Sequence, residues 1–253
     1  MRQPKIVTIG TPAYGGQVTS GFATALAASV SLFQNYNMEL HCILLTGHSV
    51  IQMARNRVLR EFLKTDSEML VWIDSDISWN PMDLLKLCLH DEEVVGATYR
   101  KKVATTTEFT VQLKRGNLDP DDRGLLEVDR IGTGFLRVTR KALEDLTKDC
   151  NHLDLHNKAN ETHTIGGSGK YQDSQTDYIH NVFEVGIYKG EFLSEDFIFC
   201  EKLKEKGYKI MMDTKIDLGH EGPYTYRGSI SHFLNYLKEE EAKAKPDGKD
   251  KVD

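Results

Sequence analysis

The chain has 253 residues, 40% of them apolar, and a formal net charge of −6. That length allows one large α/β domain or two small ones. An acidic balance with no long basic cluster excludes general nucleic-acid binding, which needs concentrated Lys and Arg to displace counterions. The four cysteines, Cys42, Cys88, Cys150 and Cys200, are scattered and form no Cys-x-x-Cys pair, which predicts free thiols in a reduced, cytoplasmic setting. Met1 to Lys5 leads straight into a strand pattern and not into a signal-peptide apolar region. No apolar run is long enough to cross a bilayer. Without a secretory signal, the sequon Asn160-Glu161-Thr162 is not expected to be used.

The first half alternates strand and helix signals. Lys5 to Ile9 reads as a strand ending at Gly10, followed by a loop from Thr11 to Gly16. Val18 to Phe33 has helical periodicity, with Val18, Phe22, Ala25, Leu26, Ser29 and Leu32 on one side. Leu40 to Leu45 reads as a strand, Val50 to Lys64 as a helix and Met69 to Ile73 as an almost wholly apolar strand. Such a strand belongs in the middle of a sheet covered by helices. Asn80 caps the next helix, with Pro81 at its first position, and Val94 to Tyr99 is one more strand. This order predicts an α/β fold with a mostly parallel central sheet flanked by helices.

The second half reads as strands Glu108 to Leu113, Leu125 to Ile131 and Phe135 to Val138. Thr139 then caps a helix from Arg140 to Leu146. Asp149 to about Asn181 is polar and too long for an ordinary connection, which suggests a functional lid or loop. Ser194 caps a helix to Lys206 that Gly207 ends. Tyr208 to Met212 is a late strand, and Ser231 to Ala244 a final helix before a charged tail.

Asp74-Ser75-Asp76 directly follows the buried strand. In open α/β sheets, ligands bind outside the carboxyl ends of the strands. Alternate residues of an extended segment project to the same side, roughly 7 Å apart. Two such carboxylates suit Mg²⁺ or Mn²⁺, which also hold substrate phosphates. A second copy, Asp119-Pro120-Asp121, reads as a solvated turn.

On the helix from Val50, Arg55 falls within the stripe formed by Ile51, Val58, Leu59 and Phe62, while Arg57 and Arg60 point away. A buried Arg requires an anionic partner. Either an aspartate of the triplet or a ligand's diphosphate or base fits that need. Glu195 and Asp196 open a helix, where acidic residues complement the dipole; one of them also fits a general base for an acceptor hydroxyl. His220, between Gly219 and Glu221-Gly222, is either a surface residue or a nitrogen ligand completing a cation site. His152, His156, His163 and His180 lack metal-ligand spacing and are read as solvated.

These residues together resemble a known group. The strand and loop from Thr8 to Gly16, Ala54-Arg55-Asn56-Arg57 on a helix, and Val71-Trp72-Ile73-Asp74-Ser75-Asp76 look like a metal-dependent, DXD-containing glycosyltransferase of the GT-A fold, family-2-like. Gly132-Thr133-Gly134-Phe135-Leu136 is similar to that group's mid-chain segment, Leu193-Ser194-Glu195-Asp196 to its Glu-Asp motif, and Leu218-Gly219-His220 to its late histidine. The match spans about Lys5 to Gly228.

The resemblance implies a single GT-A, Rossmann-like domain with a smaller acceptor-side sheet. Residues 1–103 would form its nucleotide-binding half, 104–228 its acceptor and metal half, and 229–253 a C-terminal helix and tail. It also implies a nucleoside-diphosphate sugar donor, UDP more than GDP, and a carbohydrate or glycosylated acceptor. Asp76, Asp74 and His220 would hold Mn²⁺ or Mg²⁺, and Asp74 and Ser75 would contact the donor. Thr8, Thr11, Ala13, Tyr14 and Arg55 would line the nucleotide pocket. Asp196, beside Glu195, would act as base in an inverting transfer. Lys101 and Tyr226-Arg227 would add diphosphate contacts.

Other functional classes fit less well. A haloacid dehalogenase-type phosphohydrolase expects Thr or Val where Ser78 stands, and Met212-Asp213 with Asp217 is a poor substitute for its later motifs. A sugar-1-phosphate nucleotidyltransferase expects a basic glycine-rich loop that Gly15-Gly16-Gln17 lacks. A non-catalytic nucleotide-sugar-binding protein on the same fold has little need of Asp74, Asp76, Asp196 and His220 together.

Overall fold

The computed structural model describes residues 3–154 and 178–244. The first half runs β1 (Ile6–Ala13), α1 (Ser20–Asn35), β2 (Glu39–Thr46), α2 (Ile51–Leu63), β3 (Met69–Ile73), β4 (Ile77–Ser78), α3 (Pro81–Leu89) and β5 (Val94–Gly96). The second half adds β6 (Val111–Leu113), β7 (Leu125–Ile131), β8 (Phe135–Thr139), α4 (Arg140–Thr147), β9 (His152–Asp154) and β10 (Tyr178–His180). It continues with β11 (Gly186–Tyr188), β12 (Glu191–Leu193), α5 (Glu195–Glu205), β13 (Ile210–Asp213), β14 (Gly219–Glu221), β15 (Thr225–Arg227) and α6 (Ile230–Ala244). Among the described residues, no helix is long and apolar enough to cross a membrane. His156, His163 and the sequon at Asn160 lie outside them.

The main sheet has eight strands in the order β2-β1-β3-β8-β5-β13-β7-β6. β1 is parallel to β2 and β3, and β13 is parallel to β5. β8 is antiparallel to both β3 and β5, and β7 is antiparallel to β13 and β6. The sheet is therefore mixed where a mostly parallel one was expected. Every residue of β8 is buried, so it must lie in the interior, and it takes the place between β3 and β5. Residues 1–103 and 104–228 thus share one sheet. A separate three-stranded sheet, β15-β14-β4, stands beside it.

β3 shows why helices are needed on both sides. All five of its residues are buried. Leu70 and Trp72 join a core with Val58, Leu59 and Phe62 of α2 and Phe199 of α5. Met69, Val71 and Ile73 join another with Phe22 and Phe33 of α1 and Leu84 and Leu87 of α3. Trp72 meets Phe183 and Phe199 edge-on at 5.2 and 5.3 Å, and those two rings stack at 4.2 Å.

Two local expectations are corrected. β1 continues through Gly10 to Ala13, paired with β2 as far as Thr46. Gly10 is a packing glycine, because a Cβ there would stand 2.4 Å from Val58 Cγ1. Arg60 is buried, not solvated, whereas Ile51 is exposed at the mouth of a cavity described below. Most of the polar stretch expected as a lid or loop, residues 155–177, lies outside the described residues; just after it, Asn56 donates to Asn181 Oδ1 and the Phe183 carbonyl and accepts from the amides of Val182 and Phe183.

Two buried ionic groups lock α3 to the sheet. Arg137 of β8 donates to the carbonyls of Leu87, His90 and Glu92, satisfying acceptors at the helix's carboxyl end; burial lowers its pKa to about 10. Asp213, fully buried at the end of β13, meets His90 Nε2 at 2.9 Å and Lys86 Nζ at 2.6 Å. Burial alone would raise its pKa, but hydrogen bonds from His90 and Lys86 hold it below the usual carboxylate value. Such a group stabilises the fold above its unfolded pKa of about 3.9, and that contribution is lost as pH falls through the lower folded value. Asp213→Asn is expected to cost about 2 kcal/mol at neutral pH. In urea titrations across pH, the gap between variant and parent should close below about pH 4.

Candidate functional site

The site grows from the alternation of β3. Asp74 continues the Leu70 and Trp72 side of the strand, which α2 covers. Arg55, one turn before Val58 and Leu59 on the same helix face, reaches it. Arg55 Nη2 lies 3.0 Å from Asp74 Oδ1, and its Nε lies 3.5 Å from Glu195 Oε1 at the start of α5. The Arg55 side chain is only 5% exposed, so this bridge joins α2, the end of β3 and α5 in a region where an unpaired charge would be prohibitive. Burial opposes the charge on Arg55, but the Asp74 and Glu195 carboxylates outweigh it and raise its pKa. Glu195 is raised above the usual carboxylate value, first by burial and then by the charges of Asp196 and Asp74, with Arg55 opposing.

The second oxygen of Asp74 accepts from the Tyr99 hydroxyl at 3.4 Å. Gly134 makes room for this pair, since a Cβ there would meet Tyr99 Oη at 2.4 Å and Asp74 Oδ2 at 2.7 Å. The Asp74 amide also donates to the Gly134 carbonyl at 3.1 Å. Gly132-Thr133-Gly134 is thus the support beneath the aspartate.

Asp76 is held differently. The Glu221 amide donates to the Asp76 carbonyl at 2.7 Å, and β14 pairs with β4 so that His220 lies opposite Ile77. This register brings His220 Nε2 to 3.6 Å from Asp76 Oδ2. His220 Nδ1 lies 2.9 Å from the Arg100 carbonyl, which can only accept. Nδ1 therefore carries a proton, and Nε2 is the ring nitrogen that faces Asp76. Lys102 Nζ lies 2.5 Å from the same Asp76 oxygen. Burial would raise the Asp76 pKa, but His220 and Lys102 hold it below the usual value.

A cavity of about 450 Å³ opens over these groups, lined by Pro12, Tyr14, His48, Ser49, Ile51, Arg55, Asp74, Ser75, Asp76, Tyr99, Thr110 and His220. It lies at the carboxyl ends of β1 and β3. A second groove of about 550 Å³ adjoins it, with Thr110 common to both, and carries Lys101, Gln112 and Asp196. Asp196 accepts from the Ser194 hydroxyl and, at 2.9 Å, from the Phe197 amide.

Of the residues singled out from sequence, Tyr14, Arg55, Asp74, Ser75, Asp76 and His220 share one cavity. Thr8, Thr11 and Ala13 do not line it; all are buried, and the Thr8 hydroxyl bonds to Ser67 at 2.6 Å near the far end of β1. Glu195 faces inward to Arg55, while Asp196 faces the adjoining groove. Lys101 pairs with Glu108 at 3.0 Å, and Lys102 is the lysine that reaches the cavity side. Tyr226 is buried against Tyr224 and Arg227 is exposed; neither lines the cavity. His48, Tyr99 and Lys102 went unnoticed in the sequence. Tyr99 alone had a signal, a polar residue just past the end of an apolar strand.

No protein-family model matches the chain, and no curated protein resembles it in sequence. Among solved structures, the chain is similar in fold to A197 from STIV, with a TM-score of 0.50, 17% identity and 85% of each chain covered. Weaker likenesses include a glycosyltransferase involved in the glycosylation of the major capsid of PBCV-1, with a TM-score of 0.30, 14% identity, and 55% of this chain and 62% of that one covered. Another is the inositol-1-phosphate CTP transferase from T. maritima, with a TM-score of 0.41, 9% identity, and 94% and 97% covered.

Arg55→Leu should strand two carboxylates and cost about 3 kcal/mol in urea denaturation. Adding Glu195→Gln should recover part of that loss. An Arg55→Leu protein as stable as the parent would show that the bridge carries no structural weight.

Proposed function

We propose that the chain is a glycosyltransferase that uses a nucleoside-diphosphate sugar and a divalent cation, Mn²⁺ or Mg²⁺. One observation carries this reading. Arg55 and Tyr99 engage both oxygens of Asp74, while Asp76 and Nε2 of His220 converge in the cavity. The donor set fits the cation: one carboxylate and one imidazole leave positions for water and phosphate oxygens, as these metals favour. The Lys102 ammonium on Asp76 further indicates that the position suits positive charge. When bound, the metal would stabilise the charge building on the departing diphosphate.

The protein's own groups supply the rest. Asp74, with its carboxylate fixed between Arg55 and Tyr99, orients the donor through its ribose or sugar hydroxyls, beside Ser75. Tyr14 and Pro12 flank the nucleotide, with a uridine base the first choice for assay. Lys102 is within reach to turn from Asp76 to the diphosphate. The acceptor, a carbohydrate or glycosylated molecule, lies in the adjoining groove. There Asp196 removes the acceptor's hydroxyl proton as its oxygen bonds to the anomeric carbon and the carbon–oxygen bond to the diphosphate breaks, with inversion. Glu195 is a positioning residue acting through Arg55.

The test is nucleotide-sugar binding and hydrolysis with and without Mn²⁺, for the parent, Asp76→Ala, His220→Ala and Asp196→Asn. Mn²⁺ should raise turnover in the parent, and Asp76→Ala should remove that gain. Asp196→Asn should lower kcat by about 10²- to 10⁴-fold with donor affinity little changed. Identical behaviour of parent and Asp76→Ala, with and without the metal, would overturn the reading.

A further inference from the structure

A second cluster of metal-ligating side chains stands apart from the Asp76 cavity. β9 and β10 pair antiparallel with His152 opposite His180, and their rings lie 5.0 Å apart, edge to face. The Asn181 amide donates to the Asn151 carbonyl, extending the pairing one residue towards Cys150. Cys150 Sγ lies 3.5 Å from His180 Nδ1. One ligand atom from each of Cys150, His152 and His180 lies within 4.8 Å of the others.

We propose that Cys150, His152 and His180 bind a zinc ion, with solvent in the fourth position. Three observations support this. The ligand types are a thiolate and two imidazoles, which select Zn²⁺ over the oxygen-preferring Mg²⁺ and Mn²⁺. The spacing fits, since zinc–sulfur and zinc–nitrogen bonds of usual length at a tetrahedral angle put the two atoms about 3.5 Å apart. Access is open, because His152 is exposed and Cys150 borders a cleft of about 300 Å³ with Asn151 and Lys202. The binding step releases the Cys150 proton to solvent as the thiolate bonds to the metal.

The placement also assigns a role. His152 and His180 stand opposite each other on β9 and β10, so one ion bonded to both ties the two strands together. Asn181, next to His180, is also where Asn56 of α2 is anchored, one residue from Arg55. Zinc therefore steadies the end of the hairpin that packs against the helix carrying the ionic bridge.

The full-length chain, stripped with a strong chelator, would be titrated with Co²⁺ as an optical probe and with Zn²⁺ by equilibrium dialysis. One equivalent should bind with a thiolate-to-cobalt charge-transfer band and tetrahedral ligand-field absorption, apart from any ion held by the Asp76 cavity. Cys150→Ser, a near-isosteric change, should abolish that band. It should weaken zinc by at least the about 10- to 100-fold that even an outer-shell change costs, as should His180→Ala. Zinc should raise the Tm of the parent but not of Cys150→Ser. Asp76→Ala should retain the zinc, which separates this site from the proposed catalytic one. Absence of the thiolate band in the parent, undiminished zinc binding by Cys150→Ser, or loss of the zinc in Asp76→Ala would overturn the proposal.

Discussion

The ionic bridge of Arg55 with Asp74 and Glu195 is the constraint on which the rest of the site depends. One guanidinium, almost fully buried, holds a carboxylate at the end of β3 and another at the start of α5. A charge in that position cannot be left alone, because its desolvation would exceed the worth of any single contact nearby. Packing of α2 and α5 on the same face of β3 is therefore coupled to the placement of Asp74. The stacked Phe183 and Phe199 rings against Trp72 supply the apolar part of the same junction.

That bridge also divides the labour of the acidic triplet. Asp74 is engaged by Arg55 and Tyr99, one partner on each of its oxygens. Asp76 sits on the other side, where the small sheet of β4, β14 and β15 brings in His220. The Arg100 carbonyl fixes the proton on the far nitrogen of that ring. Two aspartates two residues apart thus acquire different partners because the strand ends just before them, at Ile73, and the chain turns into β4. The neighbouring acidic pair is divided as well: Glu195 faces inward and Asp196 outward, as adjacent residues in a first helical turn must.

The histidine and cysteine cluster behind α2 follows a different logic. His152 and His180 come from consecutive strands and meet through antiparallel register, with Cys150 just ahead of β9. Softer ligands there and oxygen-rich ligands at the cavity would let one chain hold two metals without confusing them.

Much of this was legible in the sequence. The apolar run of β3, the Asn80-Pro81 start of α3 and the strands from Leu125 and Phe135 follow from local periodicity and capping, which act over a few residues. Asp74, Asp76 and a buried Arg55 stood out for the same reason: charge next to, or within, an apolar pattern is locally visible. The need of Arg55 for an anion was also evident, but not which anion. Tertiary structure decided what local pattern cannot encode. β8 enters between β3 and β5 because its buried faces need neighbours on both edges, and pairing partners are not written in either strand alone. Lys102, Tyr99 and Glu195 reach the aspartates and Arg55 only through that topology, and Thr8 moves away from the cavity because β1 is longer than its glycine suggested. His152 and His180, polar and unremarkable in sequence, become a pair once two strands lie side by side.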